Sequence, residues 1–582
     1  MPLISRRIAE GIVQPCDEPE LIWLLKFADQ HKIPLTPRGK GTSGYGGAVP
    51  RYGGLVVDFT RMNKLLSIDA AKCTVTVEPG MVWLDLEAKL ADYGLSLRLY
   101  PGSAPSSTVA GWLAQGGSGF GSYSYGWFGD NVVSARVVLP DGEAVSYTAD
   151  ALDLVKDAGG LTGFISAITI KVKPAGKMHI LTAALKTESQ LSGLLNAIVQ
   201  KGLDLWSVSF VNPYREQLQN KLREPPTPAA DSYLIIFVYP DGKTATTSEL
   251  EALVGTYHGR VLEPEFSERL WQERFHSLQI KKLAPSLIST KVAIPLASLE
   301  TALGNCRKLK PSLAIEGVIL REKTGLFQAV LLGFILHDER KVSYNLVYSL
   351  SLSFIKLAEK IGGRPCSIGI YFKYQAAKIL GESRLQRIIG HKQQTDPHNI
   401  LNPGKIIGQD MLYYLMTLTW KAEPIVRWLA NRVPRRDSEF SNIPFLDRDN
   451  HPHPVPPPSR GRGINSLPPC GGGLGWGDRL ISSKSLRNTR SEPAGNGTKV
   501  PAPKNSRKTW NAFCCDQCGF CLKGCPQFQG WESRSPKGYW YLQRLLIQNR
   551  YNPSEINLPP LSCLNCNRCL TICPQALLPY PC

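Results

Sequence analysis

The chain has 582 residues, 43% of them apolar and 20% charged, a globular composition that excludes an intrinsically disordered protein and leaves room for about three or four domains. Its net charge of +19 is spread, densest over residues 410–512 with sixteen Lys/Arg against eight Asp/Glu, so no single element carries the footprint of a nucleic-acid binder. The amino terminus, MPLISRRIAEGIVQP, lacks the apolar core of a secretory signal, and no run reaches the roughly 18 apolar residues of a spanning helix. A cytoplasmic protein is expected.

In chain order, Asp17-Glu18-Pro19-Glu20 opens an amphipathic helix carrying Leu21, Leu24, Leu25 and Ala28, and Ile33–Thr36 reads as a short strand. After a glycine loop come the strands Leu55–Phe59 and Cys73–Glu78, then a helix over Leu84–Tyr93 ended by Gly94. A second glycine-rich region precedes the strand Val132–Leu139, which turns at Pro140-Asp141-Gly142. Helices mixed with strands joined by tight turns predict an α+β fold. Residues 176–385 continue in this style without glycine clusters, as a cap domain would, and 386–410 hold a closing segment, Asp396–Lys405 (DPHNILNPGK). Residues 411–433 read as an amphipathic helix with a kink before Pro424. Met411–Trp420 is apolar and aromatic, and Lys421, Arg427, Arg432, Arg435 and Arg436 follow. That combination fits peripheral contact with the inner face of an anionic membrane, and equally a helix packed on its own protein. Residues 434–510 are too rich in Pro and Gly to build a core and read as a linker.

Ten of the fifteen cysteines fall between Cys514 and Cys582. Two runs repeat one pattern: Cys515, Cys518, Cys521 and Cys525 before Pro526, and Cys563, Cys566, Cys569 and Cys573 before Pro574. Two-residue spacers let three thiolates face one point, as a cubane iron–sulfur cluster requires, and the fourth ligand is exchanged between runs. One [4Fe–4S] cluster then takes Cys515, Cys518, Cys521 and Cys573, and the other takes Cys563, Cys566, Cys569 and Cys525. A pair of zinc ribbons is the bland alternative; it usually has longer gaps between its CxxC pairs.

Arg38–Gly47 reads RGKGTSGYGG, in which Gly39, Gly41 and Gly44 spell GxGxxG. A dinucleotide-binding Rossmann unit needs that motif to open a helix, whereas Gly46-Gly47-Ala48-Val49-Pro50 follows here. Bare backbone N–H groups can still form an anion nest, and Pro101–Gly121 offers a second set.

Residues 12–175 resemble the FAD-binding domain of the vanillyl-alcohol oxidase and p-cresol methylhydroxylase family. PRGKGTSGYGGAVP is similar to its first pyrophosphate loop, and GGLVVDFTRMNKLLSID, TVTVEPG, PGSAPSSTVAGW and VVLPDGE resemble the segments that follow. Gly163-Phe164-Ile165 resembles the strand that approaches the flavin, and DPHNILNPGK the return from cap to FAD domain. Within the family the likeness is to flavin subunits of glycolate oxidase and D-lactate dehydrogenase types. Residues 511–582 resemble the start of the glycolate oxidase iron–sulfur subunit, with Ser535-Pro536-Lys537-Gly538 between the cysteine runs; the CCG domains that follow the clusters there are missing from this sequence.

The resemblance implies a PCMH-type FAD domain over residues 1–175, and flavin contacts at Arg38, Gly39, Lys40, Gly41, Thr42, Ser43, Gly44, Pro101, Gly102, Ser103, Thr108, Gly111, Gly116, Gly117, Tyr125, Gly126, Ile165 and Asn402. FAD is expected to be non-covalent, because residues 36–50 hold no histidine or cysteine. The implied activity is oxidation of a small 2-hydroxy acid, with electrons passed to two [4Fe–4S] clusters and on to a separate iron–sulfur or CCG-type subunit or a quinone. The family's histidine motifs are absent: the second reads Pro365-Cys366-Ser367-Ile368-Gly369-Ile370, and His337 is the one candidate base near the first. Two rivals follow from that gap: an electron-transfer subunit of a heterodisulfide-reductase-like complex, and a binding protein with degenerate catalytic parts.

Overall fold

The computed structural model describes residues 9–431 apart from 243, 285, 311, 339–342, 367–368 and 371–372. The expected linker over 434–510 and the cysteine module with its eight ligands, Cys515 to Cys573, lie outside the described residues.

Three strands, β1 (Gly11–Val13), β2 (Leu35–Arg38) and β3 (Leu55–Asp58), form a parallel sheet with β3 at its centre. The crossover helix α1 (Glu18–Gln30) starts where Asp17 accepts a hydrogen bond from the Glu20 N–H at 2.9 Å, and it buries Leu21, Leu24, Leu25 and Ala28. The apolar stripe read from the sequence is thus the face that packs. A second, antiparallel sheet runs in the order β4 (Leu65–Asp69), β5 (Thr74–Val77), β9 (Phe164–Pro174), β7 (Val132–Val138), β8 (Ala144–Thr148), with β6 (Leu95–Leu97) pairing the far end of β9. Helices α2 (Trp83–Ala91) and α3 (Val109–Gln115) share a core with this sheet. There the buried Trp83 meets Trp112 edge-on at 5.2 Å, and Phe128 stacks on Trp112 at 4.7 Å.

The cap is an eight-stranded antiparallel sheet. Its order is β13 (Arg260–Val261), β10 (Met178–Leu185), β12 (Tyr233–Pro240), β11 (Ser207–Val211), β15 (Ala314–Arg321), β16 (Phe327–His337), β14 (Ser286–Pro295), β17 (Arg364–Pro365). Strand alternation sorts its two faces. On β14, Ile288 and Val292 join one core with Leu194, Leu303 and Phe354 from the helices Glu188–Lys201, Leu299–Leu309 and Leu350–Lys360. Leu287, Ser289 and Lys291, the alternate set, face a cavity. The expected α+β class is therefore found as three sheets, with helices covering the outer face of the cap.

The chain returns from the cap through the helix Glu382–Thr395. Asp396 is fully enclosed and accepts the N–H groups of Ile400 and Leu401, each at 2.8 Å, together with the Lys392 ammonium. That bend lays the next residues beside β2: Leu35 N–H donates to Ile400 O at 2.7 Å, and Asn402 N–H to Leu35 O at 2.7 Å. Asn402 Nδ2 then donates to Gly47 O (3.2 Å) and Gly159 O (2.6 Å), and the buried Lys405 ammonium to Gly46 O (3.0 Å) and to Val49 O. Within the expected helix over 411–433, the described residues form two helices, Met411–Lys421 and Glu423–Asn431, broken at Ala422, where the kink before Pro424 was expected.

Two outcomes follow. Replacing Asp396 by Ala leaves the buried Lys392 ammonium with the Leu401 carbonyl but no counter-charge, and two N–H groups without their acceptor, and should cost about 3–5 kcal/mol in urea unfolding. Burial lowers Lys405 to about 7, far below its unfolded value. Between those two values the folded chain holds fewer protons than the unfolded one, so stability should rise as pH increases from about 7 toward 10. Thermal melts across that range should show the rise, and Lys405→Met should flatten it.

Candidate functional site

The site is assembled from three glycine-bearing segments below and the cap sheet above. Leaving β2, the first loop lies against α3. Thr108 caps that helix by accepting from the Gly111 N–H at 3.2 Å, and a Cβ added at Gly39 would stand 2.4 Å from Thr108 Oγ1. Ser43 Oγ donates to Gln115 Oε1 at 3.0 Å, and a Cβ at Gly47 would meet Gln115 Nε2 at 2.3 Å. A side chain at Gly39 would press on the whole Thr108 cap, whereas one at Gly47 would displace the Gln115 amide that holds Ser43. Pro101–Ser107 is a compact turn: Ser103 O accepts the N–H groups of Ser106 and Ser107, and the Ser103 and Ser107 hydroxyls are 3.0 Å apart. The third segment, Gly159–Ile165, bends through positive φ at Gly159, Gly160 and Gly163 before entering β9.

The return segment orients these loops from behind. N–H and C=O of a trans peptide point opposite ways. Fixing the Gly46, Gly47 and Gly159 carbonyls toward Lys405 and Asn402 therefore turns the N–H groups of Gly47, Ala48 and Gly160 the other way. Those three residues line the cavity.

The cavity measures about 640 Å³, within the roughly 300–1,000 Å³ typical of ligand sites. Arg38, Gly39, Lys40, Gly41, Thr42, Ser43, Gly44, Pro101, Gly102, Ser103, Thr108, Gly111, Gly116 and Ile165, all expected from the sequence, line it. Four other expected contacts do not. Asn402 sits behind the loops as described. A Cβ at Gly117 would strike the Trp112 indole nitrogen at 2.0 Å, and one at Gly126 the Arg321 carbonyl at 2.7 Å, so these glycines let backbone pack on an indole and on the cap strand β15. Tyr125 lies under the Arg98 guanidinium at 5.1 Å.

The sequence reading missed the roof. Ser286, Ser289 and Lys291 of β14, Glu316 of β15, Leu332 and Phe334 of β16, and Lys281 and Tyr344 complete the lining. Gly159 and Gly160 were missed as well, although Ala158-Gly159-Gly160-Leu161-Thr162-Gly163 is a visible glycine cluster. Ser118 and Ser286 are buried hydroxyls on the cavity wall without a hydrogen-bond partner among the described residues. Burial lowers the Lys291 ammonium from its ordinary range, and no ion pair involves it among the described residues. Glu316 is the acid of the described lining, and Arg215 neutralises it at 2.8 Å.

His337 ends β16 outside this lining. Its Nε2 is 3.1 Å from Ser343 Oγ, and its ring stacks on Tyr344 with centroids 6.1 Å apart. Cys366 lies beside the roof, its N–H donating to Lys291 O at 3.0 Å, and burial raises its thiol.

FAD fits this arrangement. Glycines keep side chains away from the backbone N–H groups of the loops, two buried hydroxyls lack hydrogen-bond partners among the described residues, and the lining is cationic.

Comparison with known proteins agrees. Residues 9–148 match the FAD binding domain family, and residues 514–578 match the 4Fe-4S dicluster domain family. The mitochondrial D-lactate dehydrogenase [cytochrome] of Arabidopsis thaliana is 25% identical over 420 residues, covering 69% of this chain and 74% of that protein. Glycolate oxidase subunit GlcD of Bacillus subtilis is 33% identical over 151 residues, 26% of this chain and 32% of its own length. The crystal structure of p-cresol methylhydroxylase with substrate bound superposes with a TM-score of 0.57 at 15% identity, over 68% of this chain and 88% of that one, so the fold is shared. With an FAD binding domain over residues 9–148, the fold of p-cresol methylhydroxylase and a dicluster domain in the same sequence, the chain is an FAD-dependent oxidoreductase related to D-lactate dehydrogenase and glycolate oxidase.

Proposed function

We propose that this chain oxidises a small 2-hydroxy acid of the lactate or glycolate type to its 2-oxo acid and passes the electrons to two [4Fe–4S] clusters. The sign of the cavity carries the reading. Arg38, Lys40, Lys281 and Lys291 line it, while Glu316 is already neutralised by Arg215. That excess of cations suits two anions, a diphosphate against the glycine loops and a carboxylate under the cap. The names of the relatives point to the same substrate class.

Bound FAD supplies the two-electron acceptor, and iron–sulfur clusters supply one-electron carriers. The loops from Arg38 to Gly44 and from Pro101 to Ser103 would hold its diphosphate through bare N–H groups. Lys291 on β14 receives the substrate carboxylate, while Leu332 and Phe334 beside it exclude water. Its lowered affinity for the proton is offset once an anion sits against it. His337 acts at one remove, holding Tyr344, which lines the cavity. Cys515, Cys518, Cys521 and Cys573 hold one cluster, and Cys563, Cys566, Cys569 and Cys525 the other. The onward acceptor is a separate iron–sulfur or CCG-type subunit or a membrane quinone, with the chain peripheral to the membrane.

Anaerobic chain should lose its flavin absorbance on mixing with at least one of D-lactate, L-lactate and glycolate. If a fully flavinated chain is bleached by none of them, the electron-transfer-subunit reading takes its place. Acid precipitation should release all the flavin as free FAD, and Gly39→Val should abolish its retention on gel filtration. Lys291→Met should raise KM at least about tenfold with a smaller change in kcat, and Lys291→Arg should recover part of it. His337→Gln should lower kcat less than about tenfold and leave its pH profile unchanged, whereas loss of a true base would remove the acid limb. Iron analysis should give about eight irons per chain, and Cys525→Ser should damage the cluster held by Cys563, Cys566 and Cys569.

A further inference from the structure

The two helices after the return segment are fixed firmly on one side and bare on the other. Asp410 caps the first, accepting from the Tyr413 N–H at 3.0 Å, and its carboxylate also meets the Lys373 ammonium at 2.6 Å and the Arg51 guanidinium. Met416 and Trp420 pack inward on Leu352, Ile370 and Tyr374. Glu423, 3% exposed, holds the second helix through Ser353 and through Lys356 at 3.5 Å.

The outward side of each helix carries an apolar stripe. Met411 (85% exposed), Tyr414, Leu415 and Leu418 (64%) recur at i, i+3, i+4 and i+7 of the first helix. Ile425 (66%), Trp428 and Leu429 recur at i, i+3 and i+4 of the second. Seven of the fifteen exposed large hydrophobic side chains among the described residues therefore lie on these 21 positions, and the other eight are scattered between residues 12 and 326. A stripe of this size marks a contact surface.

Its charge selects the partner. The acids of this stretch, Asp410 and Glu423, are turned inward and ion-paired, whereas Lys421 is exposed and Arg427 is half-exposed at the rim. The sequence then continues with Arg432, Arg435 and Arg436. Large apolar side chains, a Trp and a Tyr, edged by cations, are the composition of a helix lying in the headgroup region of an anionic bilayer. No helix among the described residues is long and apolar enough to cross. A docked protein would have to accept the same excess of cations, and the dicluster region, residues 514–578, has six Lys/Arg against three Asp/Glu, the wrong sign for that role.

We propose that the helix pair Met411–Lys421 and Glu423–Asn431 is a surface anchor that embeds its apolar stripe in a membrane rich in anionic phospholipid. The proposal stands independently of the substrate reading, since its readout is lipid binding. The test is co-sedimentation of the full flavin-loaded chain with vesicles of phosphatidylglycerol and phosphatidylcholine in equal parts, against phosphatidylcholine alone. Binding should be at least about tenfold tighter to the mixed vesicles and should weaken as salt is raised. The double variant Leu415→Gln, Leu418→Gln should lose at least about tenfold of that binding, with flavin content and soluble-acceptor activity unchanged. Failure of the native chain to bind mixed vesicles would overturn the proposal. So would equal binding by the double variant, or a change in oligomeric state or cluster spectrum in that variant without any lipid binding, which would assign the stripe to a protein partner.

Discussion

Two of the three loops at the floor of the cavity depend on a hydrogen-bonded clasp made more than 350 residues after the first of them and 243 residues after Gly159 of the other. Asp396 bends the chain, residues 400–402 pair alongside β2, and Asn402 and Lys405 take the carbonyls of Gly46, Gly47, Val49 and Gly159. A loop of glycines has no side chains with which to fix its own peptides, and ordering it costs more backbone entropy than ordering other residues. The clasp offsets that cost from outside, where it does not occupy the ligand's space.

This division explains which parts of the site were legible in the sequence. Glycine spacing announces bare backbone, and the loops 38–44 and 101–103 with Thr108, Gly111 and Gly116 do line the cavity. A glycine can equally serve a close approach between protein parts, and Gly117 under Trp112 and Gly126 under Arg321 do so; nothing local separates the two uses. Asn402 stood out in its motif, but its role is structural, through two carbonyls of distant loops. The helix stripe of α1, the strands β5 and β7 and the break near Pro424 followed from periodicity and punctuation because each is settled within a few residues.

The roof was not legible for a different reason. In Ser286–Pro295, alternation shows that Lys291 shares a face with Ser289 and Leu287, yet it cannot tell which face meets a cavity and which meets helices. That is decided by β16 and by helices packed from elsewhere in the chain. In the fold Lys291 is a half-buried cation on the cavity wall, with room for an anion in front of it. His337 illustrates the converse, an eye-catching residue whose ring is spent on Ser343 and Tyr344.

Charge ties the remaining features together. A basic chain without a nucleic-acid footprint needs some other account of its +19. Part of it is internal, in Arg38, Lys40, Lys281 and Lys291 around the cavity, where low dielectric makes each cation selective for anions and weakly screened by salt. Part is external, at Lys421 and Arg427, where water and salt screen it. The two populations should therefore answer differently to ionic strength. An anion held in the cavity should persist at ionic strengths where attraction to an external charged surface has faded.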